Sequence, residues 1–293
     1  MMKDKFVDRI RIRVLADNQV GFRGKLLAQH GASYFLEASW GEEKRRILVD
    51  TGWNGEALLF NMKMLEIDPK SIDAIVITHG HWDHTGGLLK VLEKAEGKQI
   101  PIVMHPLALK TSFISEPFIR PVGILSFSEI GELKRLGGYP ILSRDPVEIA
   151  PGILTTGEIE RRNDFETVEE PYMFVGKEGE LERDIISDDI ALVIKFRSGI
   201  GIVTGCGHSG IINILEKARA LTGETKIKFI IGGLHLAEAS DERIIRTVSH
   251  LSKLDIDAIC AGHCTGLRAS CELLRSFGTK FKQIHVGMSM EFS

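Results

Sequence analysis

Short apolar runs that stop at clusters of glycine, aspartate or histidine constrain this chain more than any other feature. "RRILVDTG", "IDAIVITHGH", "IPIVMHP", "GIGIVTGCGH", "IKFIIGGLH" and "IDAICAGHC" follow the pattern, and "IALVIKF" is a further run of the same kind. Such β-branched runs suit strands covered on both faces. Helical patterns lie between several of them: "GGLLKVLEKAE", "GIINILEKARALTG" and "SDERIIRTVSHLSKL". The last opens with a serine cap and an acidic first turn. The N-terminal "MMKDKFVDRIRIRV" reads as a first strand. Strands alternating with helices predict an α/β architecture.

The 293 residues, 43% hydrophobic and 26% charged, suffice for a core of normal size in one large domain or two small ones. A net charge of −3 argues against a basic nucleic-acid or membrane face. No apolar stretch approaches the ~20 residues of a membrane helix, and the N-terminus lacks the apolar core of a signal peptide. The expectation is a cytoplasmic protein without nucleic-acid or membrane partners. Cys206, Cys260, Cys264 and Cys271 all lie in the last third. A disulfide framework would be spread through a small secreted domain, and Cys260 with Cys264 lacks the second pair of a zinc ribbon.

The stretch from about Pro106 to Pro171 differs, with five further prolines, irregular apolar spacing and the cations Lys110, Arg120, Arg144, Arg161 and Arg162. It reads either as a cap over the sheets or as ordinary loops and surface helices. A connection this long favours a lid.

Chemistry concentrates in "ITHGHWDHTGG". The strand "IDAIVIT" delivers His79 at its C-terminal edge. Positions two apart point the same way in extended chain, so His79 and His81 can converge on one ion. A turn and a helix begin at once, which turns Asp83 and His84 toward a second ion. Imidazole and carboxylate suit zinc, with iron or manganese as alternatives. A single buried histidine is ordinarily a hydrogen-bonded core residue. Three histidines and an aspartate in six positions do not fit that reading.

The H-x-H-x-D-H pattern resembles the metallo-β-lactamase superfamily. "ILVDTG", with Asp50 as a supporting acid, and "AGHCTG", with His263 as the last metal-binding histidine, agree with it. The resemblance spans roughly residues 10 to 290. It implies an αβ/βα sandwich with the site where both sheets end; with the stretch above read as a cap at about 106–171, the expectation is one domain over 1–293. One or two divalent ions are implied on His79, His81, Asp83, His84, His208 and His263.

The sequence departs from the family in mid-chain. Members usually supply a further histidine there, yet none lies between His105 and His208, and "TTGEIERR" places Glu158 in the matching region. The usual T-G-D motif, whose aspartate bridges the metals, reads "TGCGHSG", with Cys206 in the aspartate's place. His208 is the expected replacement ligand. Cys206 is either a thiolate ligand or a small buried side chain.

"LLAQHGASYFLE", "RRNDFE", "SDDIALVIK", "TGCGHSGIINIL", "GGLHL" and "GHCTG" resemble one subgroup. It includes archaeal dihydropterin-methyl ribofuranosyl-aminobenzene phosphate synthases of methanopterin biosynthesis. The implied reaction is an alkyl transfer on a phosphorylated small molecule, with diphosphate released. Asp83 and His235 are the expected catalytic residues; His235 otherwise supports a ligand from behind. Arg161 and Arg162 are expected on substrate phosphate, their alternative being plain surface charge. His30 either lines the pocket or stabilises a turn. His105, His250 and His285 read as structural or surface residues, and Trp82 as packing beside the site. The competing readings are a hydrolase of a phosphodiester, lactone or thioester, and a non-catalytic metal-binding sensor. The sequence leaves the oligomeric state open, a homodimer being one option.

Overall fold

The computed structural model describes residues 6–22, 24–127, 129–176 and 178–293. Two seven-stranded sheets face each other. In the first, Ser289–Phe292, Arg9–Ala16, Ser33–Trp40 and Glu43–Val49 pair antiparallel, and Ala74–Val76, Ile100–Met104 and Gly138–Leu142 continue it in parallel. The second repeats that division. Phe281–Gln283, Ile259–Ala261, Ile227–Gly232 and Gly199–Val203 run parallel, and Leu192–Phe196, Ile153–Thr155 and Glu148–Ala150 are added antiparallel. The expected first strand is Arg9–Ala16, and residues 1–5 of that stretch lie outside the described residues.

Three apolar cores follow from this layering. Val49, Val76, Val203 and Ile231, from the strands of both sheets, form the core between them. Leu58, Met62, Leu88 and Val91, from helices Gly55–Met64 and Leu88–Lys94, cover the first sheet's outer face. Ile211, Ile214, Ile244 and Leu273, from helices Ile211–Thr222, Asp241–Leu251 and Leu267–Phe277, cover the second. The layers are helix, sheet, sheet, helix. Strands buried on both faces need apolar residues at every position, which accounts for the continuous runs in the sequence.

Helix Asp241–Leu251 starts as its sequence predicts, with Ser240 Oγ accepting from the Arg243 N–H. Helix Ile211–Thr222 does not cap itself, because its N-cap is Gly210. Glu166, distant in sequence, accepts from the N–H groups of Ile212 and Asn213 at 2.9 and 3.0 Å. A carboxylate at the positive end of a helix replaces the missing cap.

The stretch 106–171 is not one cap. Gly138–Leu142 ends the first sheet, and Ile153–Thr155 with Glu148–Ala150 ends the second. Prolines are tolerated at such edges, where no neighbour needs their missing N–H. Pro140 lies in one edge strand, and Pro146 and Pro151 flank another. The cap is a small antiparallel sheet of Leu181–Arg183, Tyr172–Val175, Ser112–Ile114 and Arg120–Pro121, so half of it lies beyond residue 171. Two ties anchor it to the first sheet's strand-end loop. The Trp82 N–H donates to Val122 O, and Asp188 accepts from the Gly80 N–H while pairing with Lys110. No helix among the described residues is long and apolar enough to cross a membrane.

Candidate metal centre

Apart from Glu158, every candidate ligand follows a strand that has a parallel neighbour. Asp50 follows Glu43–Val49, and the His79–His84 segment follows Ala74–Val76. From the second sheet, Cys206 and His208 follow Gly199–Val203, His235 follows Ile227–Gly232, and His263 follows Ile259–Ala261. Carboxyl ends of parallel strands gather binding sites in this way, because the loops there are free of the ladder and face one crevice. Asp50, His235 and His263 hold positive φ values of 54°, 48° and 49°. Such backbone is costly for these residue types and is retained where the surroundings over-determine it.

Three donor groups form, the third of them Cys206 with His235 and Cys264. In the first, the ring of His79 lies 4.6 Å from that of His81 and 4.8 Å from that of His208, and His81 to His208 is 4.9 Å. All three are buried. His79 Nε2, His81 Nε2 and both ring nitrogens of His208 have no hydrogen-bond partner among the described residues. Burial holds His81 down to about 4, and burial with neighbouring imidazoles pushes His79 and His208 well below the usual histidine range. Unprotonated imidazole is the form that metal binding requires, and His79 and His208 fall with Cys206 in one group whose ligand atoms lie within 4.8 Å of one another.

In the second group, Asp83 Oδ2 lies 3.3 Å from both His84 Nε2 and His263 Nε2. Cys206 Sγ lies 3.2 Å from the first nitrogen and 3.3 Å from the second. Metal–ligand bonds of 2.0–2.3 Å around a tetrahedral zinc give edges of roughly 3.3–3.5 Å. Four of the group's contacts are therefore close to the edges of a coordination tetrahedron.

The imidazoles are held from behind. His84 Nδ1 donates to Asp50 Oδ2 at 2.7 Å, and His263 Nδ1 to Asn18 Oδ1 at 3.0 Å. Thr78 Oγ1 donates to Asp50 Oδ2, so His79 Nδ1 is left to donate to Thr78 Oγ1 at 3.2 Å. Each Nδ1 carries the proton and each Nε2 faces the centre. Partners of this kind fix tautomer and ring orientation in metal sites. The donor set fits a divalent metal.

His235 lies beside the first group, its ring 4.0 Å from that of His208. Its Nε2 donates to Glu170 Oε1 at 2.7 Å. Burial opposes charge on this imidazole, but the neighbouring Cys264 sulfur and the Glu170 carboxylate outweigh it and raise the pKa to about 10. His30 stands at the mouth, half exposed, with Nε2 3.5 Å from Asp83 Oδ2 and its ring 5.3 Å from that of Trp82. Above the metal groups opens a cavity of about 640 Å³ walled by Trp53, Trp82 and Tyr172, with Arg120 from the cap at its edge.

Three expected residues stand elsewhere. Glu158 pairs with Arg144 and His105, outside the donor groups and the cavity lining: it follows Ile153–Thr155, which ends level with Val203 but lies two strands to the side. Arg162 is exposed and paired with Glu160 on the outer surface. Arg161 donates to the His208 carbonyl at 3.2 Å, so it braces a ligand loop and is not among the residues lining the cavity. Arg120 is the cation of this stretch that reaches the cavity. Sequence reasoning did not single out Asn18, Glu170, Tyr172 or Cys264 for the site. Asn18 and Glu170 sit in irregular segments, Tyr172 opens a short strand and Cys264 stands beside a stronger motif, and none carries a spacing signal of its own. His105 accepts from the Leu107 N–H and caps a short turn, a structural use.

A family model described as the metallo-beta-lactamase superfamily matches residues 28–263. This chain belongs to that superfamily. Over 288 residues, 98% of both chains, it is 40% identical to the 7,8-dihydropterin-6-methyl-4-(beta-D-ribofuranosyl)-aminobenzene-5'-phosphate synthase of Methanocaldococcus jannaschii. It is 32% identical over 278 residues, 94% of this chain and 98% of the other, to an uncharacterized protein of the same organism. Among solved structures, Tm1679, described as a metal-dependent hydrolase of the beta-lactamase superfamily, superposes with a TM-score of 0.80 at 27% identity, covering 97% of this chain and 99% of that one. Full-length likeness to a named enzyme, together with superfamily membership, makes this metallo-beta-lactamase-superfamily protein an enzyme. The reading as a non-catalytic sensor is set aside.

Proposed function

We propose that the chain catalyses an acceptor-dependent alkyl transfer from a dihydropterin-methyl diphosphate to a ribofuranosyl-aminobenzene phosphate. The observation that carries the reading is the cavity itself. Metal-type donor groups form its floor, flat aromatic side chains its walls, and a cap arginine its edge. The full-length likeness to the synthase supports the same substrates. In this reading His79, His81 and His208 hold one divalent ion, and Asp83, His84 and His263 a second, with zinc as the metal. Bound there, the ions would supply Lewis-acid stabilisation of the charge that develops on the departing diphosphate.

The chain's own residues do the rest. Trp53, Trp82 and Tyr172 offer flat apolar faces for the pterin and aminobenzene rings. Arg120 has a guanidinium suited to two phosphate oxygens at once. His235, held by Glu170, presents a charged imidazole that can donate a proton to a leaving phosphate oxygen. His30 flanks Asp83 at the mouth and binds the outer part of the substrate. No residue needs to form a covalent bond to substrate, because the acceptor amine attacks the methylene carbon directly. We place the reaction in the cytoplasm, and the four free cysteines suit a reducing compartment.

A hydrolase is the second reading, favoured by the likeness to Tm1679. Diphosphate release by the metal-loaded protein, measured with and without the aminobenzene acceptor, separates the two. Release that requires the acceptor is the expected result. Equal release without it would overturn the transferase in favour of hydrolysis.

A further inference from the structure

We propose that Cys206 is a bridging thiolate whose single sulfur is a ligand to both metal ions. The inference rests on the metal-dependent reading above and concerns how this chain completes its centre. Cys206 is the residue shared by all three donor groups: it stands with Asp83, His84 and His263, again with His79 and His208, and also with His235 and Cys264, all candidate ligand atoms within 4.8 Å in each group.

The chemistry around the sulfur excludes the reading of a small buried apolar side chain. Its near neighbours are ring nitrogens, His84 Nε2 at 3.2 Å and His263 Nε2 at 3.3 Å. Asp83 Oδ2 lies 3.3 Å from the same two nitrogens, so donor atoms of four residues surround one point, as they would around a common cation. A thiolate is also the soft ligand that zinc or cobalt takes readily.

The backbone holds the sulfur in place. Gly205 packs so closely on the first sheet that an added Cβ would lie 2.0 Å from Thr78 Oγ1 and 2.7 Å from Asp50 Oδ2. The loop bearing Cys206 is thus pinned to the residues that orient His79 and His84. Cys264, the nearby second thiol, donates to the Cys206 carbonyl at 3.4 Å and shares a donor group with Cys206 and His235, so it is the competing sulfur that the test must separate.

The consequence concerns the nucleophile. A carboxylate at the bridge would offer a second oxygen to orient an attacking water. A sulfur offers only a weak hydrogen-bond acceptor. The substitution fits a reaction whose nucleophile is a second substrate.

The test is optical and independent of turnover. Full-length protein stripped with a chelator is titrated with cobalt(II), and the near-ultraviolet thiolate-to-cobalt charge-transfer band is followed. The expected band grows over both cobalt equivalents, vanishes in Cys206→Ser and persists in Cys264→Ser. Absence of the band in the unaltered protein overturns the proposal. So does growth confined to one equivalent, or a band lost in Cys264→Ser and kept in Cys206→Ser. Should Cys206→Ser fail to fold by circular dichroism, Cys206→Asp is expected to bind both equivalents without the band; a band in that variant equally overturns the proposal. Because no substrate is present, failure of the transferase reading leaves these outcomes unchanged.

Discussion

Asp50 Oδ2 and His84 Nδ1 meet at 2.7 Å with both side chains wholly buried. The same carboxylate accepts from the N–H and the hydroxyl of Thr78. One residue therefore orients His84 directly and His79 through Thr78. Removing an outer partner of this kind typically costs ~10–100-fold in metal affinity. Asp50→Ala is expected to weaken zinc binding by that order, measured by competition with a chromophoric chelator. Unchanged affinity would remove Asp50 from the centre.

The unpartnered nitrogens of His79, His81 and His208 imply that the folded chain carries a cost that a metal relieves. Chelation is expected to lower the thermal midpoint, and added zinc to restore it. His79→Ala and His84→Ala are expected to abolish tight metal binding and activity while far-ultraviolet circular dichroism stays native. Full activity in either variant would refute the assignment.

Arg120 and Arg162 make a contrasting pair. The first lines the cavity, while the second pairs with Glu160 on the outer surface. A charge-assisted hydrogen bond is worth about 1.5–3 kcal/mol, roughly tenfold or more in affinity. Arg120→Ala is expected to raise KM for the phosphorylated substrate by about tenfold, and Arg162→Ala to leave it within error. Steady-state kinetics on the two variants decide the matter. Equal effects would show that the cap cation plays no special part.

Gly31 holds φ at +111°, and a Cβ there would lie 1.9 Å from the carbonyl oxygen of Asp83. No side chain fits without moving the segment that carries the ligands. Gly31→Ala is expected to destabilise the protein by a few kcal/mol, as other strained substitutions do, and to lower metal content in parallel. Denaturant unfolding and metal analysis of the purified variant test both parts. A stable, fully loaded variant would show that the loop shifts freely.

Glu166 caps a helix to which it does not belong. Glu166→Ala leaves two buried N–H groups without acceptors, at a cost of about 1–3 kcal/mol each. The thermal midpoint is expected to fall by several degrees, with metal binding retained. No fall would mean that water replaces the carboxylate.

The sequence by itself determined the two sheets, the covering helices and the candidate ligands of one segment. Continuous apolar runs report burial on both faces, and His79, His81, Asp83 and His84 are adjacent in chain, so their geometry follows from a strand, a turn and a helix start. Tertiary structure alone decided what meets them. His208, Cys206 and His263 arrive from another sheet, and their distances depend on how the two layers pack. The same holds for the arginines. Arg120 and Arg162 look alike in sequence, and only the path of the cap sends one into the cavity and the other to the surface. Glu158 occupies the motif order of a ligand, and its strand ends level with Val203, yet its carboxylate is taken up by Arg144 and His105 two strands to the side. Local chemistry is written in short spacings; convergence between distant segments is set by packing, which no spacing records.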